Sequence, residues 1–260
     1  MFKDINLFLF DMDGTLYLGD RLFDFTKELL SQISFKGKRY MFMTNNSSKS
    51  VSAYIEKLAK LGIEATKEDF ITSSQATAYY LKKHHKDACL YVCGTQSLKD
   101  ELMGEGFTVT EDTDKADCIV MGYDTELNYK KLWDVSLMLT TRDIPYIATN
   151  PDYVCPTEWG SVPDCGSICD IIFNATRKRP LFIGKPEPLM PQLAMEKEGY
   201  SPRETAVIGD RIYTDVKSGL NAGALAVLVM SGETTNEILN ASVDKPDVVL
   251  KDASEILKTL

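Results

Sequence analysis

Leu7-Phe8-Leu9-Phe10-Asp11-Met12-Asp13-Gly14-Thr15 sets a four-residue apolar run directly against two acids and a turn-forming glycine. A run without polar interruption reads as a strand buried on both faces, the habit of parallel sheets. The acid that ends it belongs at the rim, because an unpaired carboxylate inside the strand would be costly to bury. Three further stretches repeat the pattern: Tyr40-Met-Phe-Met into Thr44, Leu181-Phe-Ile-Gly into Lys185, and Ala206-Val-Ile-Gly into Asp210. Ligands bind at that edge of parallel α/β sheets. Four such strand ends predict one site assembled from both ends of the sequence.

Between the apolar runs lie amphipathic segments. In Ser50–Leu61 the residues Val51, Tyr54, Ile55, Leu58 and Leu61 recur at helical spacing, and Gly62 supplies a stop. Pro188–Glu198, closed by Gly199, reads the same way. Alternation of this kind predicts βα units and a doubly wound, Rossmann-like parallel sheet of the α/β class. All six cysteines and both tryptophans fall between Cys89 and Cys169. That middle stretch has its own alternation: strands at 89–93, 118–121 and 145–149, helices at 97–103, 128–140 and 166–175. It predicts an inserted α/β domain over 79–181, with 1–78 and 182–260 together forming the other domain.

The 260 residues carry 29 Lys+Arg against 38 Asp+Glu, a formal charge of −9, and only two histidines, His84 and His85. An acidic chain without clustered Lys and Arg is not expected to bind nucleic acid. Two adjacent histidines make neither an HExxH zinc site nor a distributed Ser–His–Asp triad. At the end of a helical segment, they read as a C-terminal helix feature. The apolar run at Leu7–Phe10 is too short for a signal peptide, and Ala224–Met230 is too short for a membrane span. The expectation is a cytoplasmic protein with reduced thiols and no membrane partner. The spacings Cys89-x3-Cys93 and Cys165-x3-Cys169 are not zinc knuckles, so these thiols read as small buried hydrophobes.

Convergence of Asp11, Asp13, Asp210 and Asp215 would crowd four carboxylates that cannot all stay ionised without a cation. All-oxygen ligation by hard donors suits Mg²⁺. Lys185 and Thr44 would add an ammonium and a hydroxyl, and the set is what a phosphoryl group requires. A carboxylate there can act as nucleophile, forming an aspartyl phosphate. For Asp215 two readings stay open, a supporting role in the site and N-capping of a helix over Asp215–Ala222.

Four motifs, DMDGT at 11–15, TNNS at 44–47, GKPEP at 184–188 and GDRIYTD at 209–215, resemble in order and spacing those of the haloacid dehalogenase-like hydrolases. The resemblance implies that Asp11 is the nucleophile and a Mg²⁺ ligand. Asp13 would protonate the leaving alcohol and then activate water, its backbone carbonyl serving as a second ligand, and Asp210 would be the third. Asp215 would lie behind the metal or reach it through water. Thr44 and the Asn45 backbone would hold phosphoryl oxygens with Asn46 nearby, and Lys185 would balance charge. True dehalogenases lack the second acid, because a halide leaves without a proton.

The inserted segment is similar to the α/β cap of the NagD-like and 4-nitrophenylphosphatase-like branch, through Thr149-Asn-Pro-Asp152, Pro163-Asp-Cys-Gly-Ser167 and Gly184-Lys-Pro186. Asn150, Asp152, Cys155 and Trp159 are its candidate specificity residues. Pyridoxal phosphate phosphatases of that branch use a histidine near the position of Cys155, and its absence argues against that substrate. The expected activity is hydrolysis of small phosphate monoesters: sugar phosphates, nucleoside monophosphates, glycerol phosphate or phosphoglycolate. The oligomeric state is open, with a homodimer suggested by the branch. Competing readings are a signalling receiver, which would be about half this length and capless, phosphoryl transfer between sugars, and phosphonate cleavage through Lys130 or Lys131.

Overall fold

The computed structural model describes residues 2–157 and 159–260, and they divide into two units. The first comprises the chain up to Thr44, Tyr54–Ile71 and Lys185–Leu260; the second comprises Asn45–Ala53 and Thr72–Gly184. Both are α/β.

The first unit is built on a six-stranded sheet in the order Val248–Leu250, Leu225–Val229, Thr205–Gly209, Leu7–Phe10, Arg39–Thr44, Phe70–Thr72. Leu7–Phe10 pairs in parallel with both neighbours, and all four of its side chains are fully buried. At about 1.5–3 kcal/mol per buried large side chain, this short strand is a major contributor to the core. The chain winds outward on one side of it through residue 72 and returns to the other side at residue 205. That reversal is the topological switch point where doubly wound sheets bind ligands. Helices Val51–Lys60 and Leu189–Glu198 form where the apolar spacing predicts them, the second ending at Gly199 with φ +76°, a left-handed cap that glycine adopts without strain.

The second unit carries a five-stranded sheet in the order Leu181–Phe182, Tyr146–Ala148, Cys118–Met121, Cys89–Cys93, Thr108–Val109, parallel at every pairing. Helices Gln96–Gly104, Tyr129–Thr141 and Cys165–Thr176 follow the predicted segments closely. Its core packs Cys93, Cys165 and Cys169 among Ile119, Met138 and Ile168, so these thiols are the small hydrophobes the spacing suggests. All six cysteines are free. One expectation changes here. Leu181–Phe182 pairs with Tyr146–Ala148 in this sheet, not in the first unit's sheet, because a two-residue run is short enough to serve either. Among the described residues no helix is long and apolar enough to cross a membrane.

Glu101, on the helix Gln96–Gly104, is pushed up to about 7 by burial and by Glu105, against the pull of Ser74. A carboxyl raised by folding favours the folded state most below the ordinary glutamate range, and that advantage is lost as pH rises through about 7. Glu101→Gln is therefore expected to raise the melting temperature by about 2–4 °C at pH 8 and by less at pH 5. Melting curves with equal gains at both pH values would show that ionisation is not the cause.

Candidate active site

Register explains why distant residues meet. Phe10 is level with Phe42 on one side and Ile208 on the other, so Asp11 emerges beside the ends of both neighbouring strands, where Thr44 and Asp210 also leave the sheet. The Asp11 N–H donates to Ile208 O at 2.8 Å, which fixes the exit. Asp11, Asp210 and Asp215 come together, each offering a carboxylate oxygen within 4.8 Å of the others. Among the described residues this is the group suited to hold a metal ion.

Lys185 joins the cluster. Its ammonium donates to Asp11 Oδ1 at 2.7 Å, to Asp215 Oδ1 at 2.6 Å and to Met43 O at 3.3 Å, and the residue is 3% exposed. Burial works against that charge, but Asp11 and Asp215 outweigh it and hold Lys185 above the ordinary lysine range. Three carboxylates and one ammonium leave two negative charges in a largely buried space. Burial, then Asp215 and Asp210, push Asp11 up to about 8 despite the pull of Lys185. Burial and Asp215 push Asp210 up to about 6. The pocket disfavours its own ionised state in the way expected of a site shaped for a cation.

Asp215 settles one open reading. The helix that follows is Lys217–Ala222, and its first residues are preceded by a wide π-helical turn over Ile212–Val216. Asp215 lies inside that turn and caps nothing. Its Oδ2 accepts from the Arg211 N–H at 3.1 Å while Oδ1 takes Lys185. The residue is fully buried against Gly209, where a Cβ would sit 2.2 Å from its carboxyl carbon. Such turns are frequent at functional sites because they re-aim one side chain without ending the helix.

Asp210 is held by a loop that the motif reading missed. The Glu233 N–H donates to Asp210 Oδ2 at 2.6 Å, and both the N–H and hydroxyl of Thr234 donate to the Asp210 carbonyl. Ser231 Oγ donates to Gly14 O at 2.7 Å. A Cβ on Gly232 would lie 2.0 Å from Asp210 Oδ2, and one on Gly14 2.5 Å away, with Gly14 also at φ +81°. Glu233 pairs with Arg211 at 2.8 Å and accepts from Tyr213 at 2.7 Å. The signal was available: Ser231–Thr234 follows the C-terminal end of Leu225–Val229, another strand end on the same rim. Asp210 Oδ1 is buried and has no hydrogen-bond partner. A buried anionic oxygen in that state is costly, and a hard cation would satisfy it.

Asp13 stands apart from the cluster. It is exposed, and its Oδ1 accepts from the Gly19 N–H at 3.4 Å. The predicted convergence of four carboxylates is thus a convergence of three. Thr44, the end of its strand, is buried, and Asn45 and Asn46 follow it directly in the chain. In the second unit the four cap candidates differ. Asn150 is fully buried and bonds Asn45 O, and Asp152 accepts from Asn45 Nδ2. Cys155 is half-buried on a strand of the antiparallel pair Val154–Thr157 and Gly160–Pro163, while Trp159 is 77% exposed. Lys131 pairs with Asp124 at 2.7 Å, and Asp134 holds the Lys130 ammonium in its charged form. The Lys130 arrangement opposes the neutral amine that a Schiff base requires.

Comparison with known proteins identifies the family. A haloacid dehalogenase-like hydrolase family model matches residues 8–108, and a HAD-hydrolase-like model matches 182–256. The chain is 34% identical over 248 residues to the 5'-nucleotidase YutF of Bacillus subtilis, covering 95% of this chain and 96% of that protein. It is 33% identical over 258 residues to an acid sugar phosphatase of Staphylococcus aureus, covering 99% of both. The crystal structure of a 4-nitrophenylphosphatase from Thermotoga maritima superimposes with a TM-score of 0.94 at 39% identity, covering 99% of this chain and 98% of the other. NagD from E. coli K-12 superimposes at 0.88 with 27% identity, covering 96% and 98%. With both flanking segments matched and these relatives covered almost end to end, the chain belongs to the haloacid dehalogenase-like hydrolases, in their NagD-like branch, and is a phosphoric monoester hydrolase.

Proposed function

We propose that this enzyme is a Mg²⁺-dependent phosphatase of small phosphorylated metabolites that works through an aspartyl phosphate on Asp11. The observation that carries the reading is Lys185 bridging Asp11 and Asp215 beside the partnerless oxygen of Asp210. Asp11, Asp210 and the Asp13 carbonyl would hold the ion, and Asp215 lies close enough to join them or to bind through water. When bound, Mg²⁺ supplies positive charge against the carboxylates and the phosphoryl oxygens.

In this reading Asp11 Oδ attacks phosphorus and the bond from phosphorus to the ester oxygen breaks. Asp13, exposed and free of the Lys185 network, gives its proton to the departing alkoxide. It then removes a proton from water, which attacks the acyl phosphate and frees Asp11 and orthophosphate. Lys185 holds Asp11 in place and offsets charge on the transferring group, while Thr44, Asn45 and Asn46 orient its oxygens. The inserted domain would select the leaving group, with Trp159 on the exposed hairpin the candidate for contact. The names of the relatives favour nucleoside monophosphates and sugar phosphates among the candidate substrates. The six free thiols support a reducing, cytoplasmic setting.

A screen of phosphorylated metabolites for orthophosphate release, with Mg²⁺ and with a chelator, tests the reading directly. Release is expected only with the metal, and full activity in chelator would refute it. Asp11→Asn should abolish turnover with the melting temperature retained; appreciable remaining phosphatase activity would remove Asp11 from the nucleophile role. Asp13→Asn should lower kcat by roughly 10²–10⁴ for alkyl esters and far less for an acyl phosphate, whose leaving group needs no proton. Equal losses on both substrates would show that Asp13 is not the acid. Gly232→Ala should displace the Asp210 carboxylate and weaken Mg²⁺ binding in calorimetry at least tenfold, and unchanged affinity would show that the loop does not position Asp210.

A further inference from the structure

Asn45 is held by groups far from it in sequence. It is 6% exposed, and its Nδ2 donates to Asp152 Oδ2 at 3.1 Å. Its backbone carbonyl accepts from Asn150 Nδ2 at 2.8 Å and from Ser73 Oγ at 2.6 Å. Asn150 Oδ1 accepts in turn from the Asp152 N–H at 3.0 Å, so two residues of one short loop brace each other while gripping the same partner. The amide fits because residue 184 is glycine: a Cβ there would lie 2.5 Å from Asn45 Oδ1 and 2.6 Å from Thr149 O.

Two consequences follow from elementary geometry. A trans peptide points its C=O and N–H in opposite directions. Two donors on the Asn45 carbonyl therefore fix the plane of the 45–46 peptide and turn the Asn46 N–H away from Ser73 and Asn150. A carboxylate only accepts, so Asp152 also dictates which end of the Asn45 amide faces it. On the far side Asn46 Oδ1 accepts from the Ser48 N–H at 2.9 Å and its hydroxyl at 2.7 Å, which closes the loop.

We propose that Asp152 and Asn150 are positioning residues for phosphoryl binding: Asp152 anchors the Asn45 side chain, Asn150 with Ser73 sets the orientation of the Asn45–Asn46 peptide, and neither recognises the leaving group. This rests on the reading of residues 44–46 as the phosphate-holding segment. It replaces the expectation that Asp152 and Asn150 select the substrate. A clamp on the phosphate loop acts on every ester alike, whereas a specificity residue acts on some and not others.

The experiment measures orthophosphate binding by titration calorimetry in Mg²⁺ buffer for the wild type, Asp152→Ala and Asp152→Asn. KM and kcat for 4-nitrophenyl phosphate and for a sugar phosphate are measured beside it. Asp152→Ala is expected to weaken orthophosphate about tenfold and to raise KM for both esters by the same factor, with kcat changed less than about threefold. Asp152→Asn keeps an oxygen that can accept from Asn45 and should recover most of the loss. If the alanine variant fails to fold, Asp152→Ser, too short to reach the amide, takes its place. Unchanged orthophosphate affinity, a KM change confined to one ester, or an asparagine variant as weak as alanine would overturn the proposal. Absence of ester hydrolysis in the wild type would instead overturn the functional reading, and calorimetry of the variants would still decide the clamp.

Discussion

A buried ammonium between two carboxylates is the interaction on which the first unit's carboxylate cluster depends. Lys185 is almost inaccessible, as is Asp215, and each charge compensates the other. Removing one member of such a pair leaves an uncompensated buried ion and costs about 3–5 kcal/mol. The pair therefore ties the segment after residue 184 to the π-helical turn after Arg211, and through Met43 O to the end of a sheet strand. Asp11 is pinned by the same ammonium. One cation thus fixes the direction of Asp11 and offsets part of the charge that the site concentrates.

The three glycines around the carboxylates show how little room the arrangement leaves. Gly14 and Gly232 face Asp210, and Gly209 faces Asp215, each at a distance that no side-chain carbon could occupy. Asp210 is thereby held by backbone donors on one side and kept clear on the other. Oriented, partly partnerless oxygens are what give a carboxylate cluster affinity for a small hard ion over water.

Much of this was legible in the sequence, for identifiable reasons. Leu7–Phe10, Tyr40–Met43 and Ala206–Gly209 are apolar without interruption, and burial on both faces leaves few alternatives to a central parallel strand. Asp11, Thr44 and Asp210 then follow by register alone. The run Leu181–Gly184 reads as part of the wrong sheet because a short apolar run does not determine its neighbours; only the pairing of Leu181–Phe182 with Tyr146–Ala148 does. The position of Asp215 was hidden because an acid near a helix start is equally consistent with capping, and a π-helical turn has no distinctive local signature. The grip on Asn45 was invisible because it is long-range: residues 45 and 152 are separated by 107 positions, and nothing in either local sequence specifies the other.

The strand order also has a consequence for how the chain is made. Translation delivers Leu7–Phe10 first, yet this strand lies in the middle of its sheet, and one of its neighbours is Thr205–Gly209. One edge of the earliest strand therefore lacks its partner until the ribosome has added nearly two hundred more residues. The other sheet is composed wholly of residues 89–182, so all its strands are made about twenty residues before that. On the growing chain the inserted sheet can close first, while the oldest strand, which leads into Asp11, waits with an open edge in need of protection from aggregation.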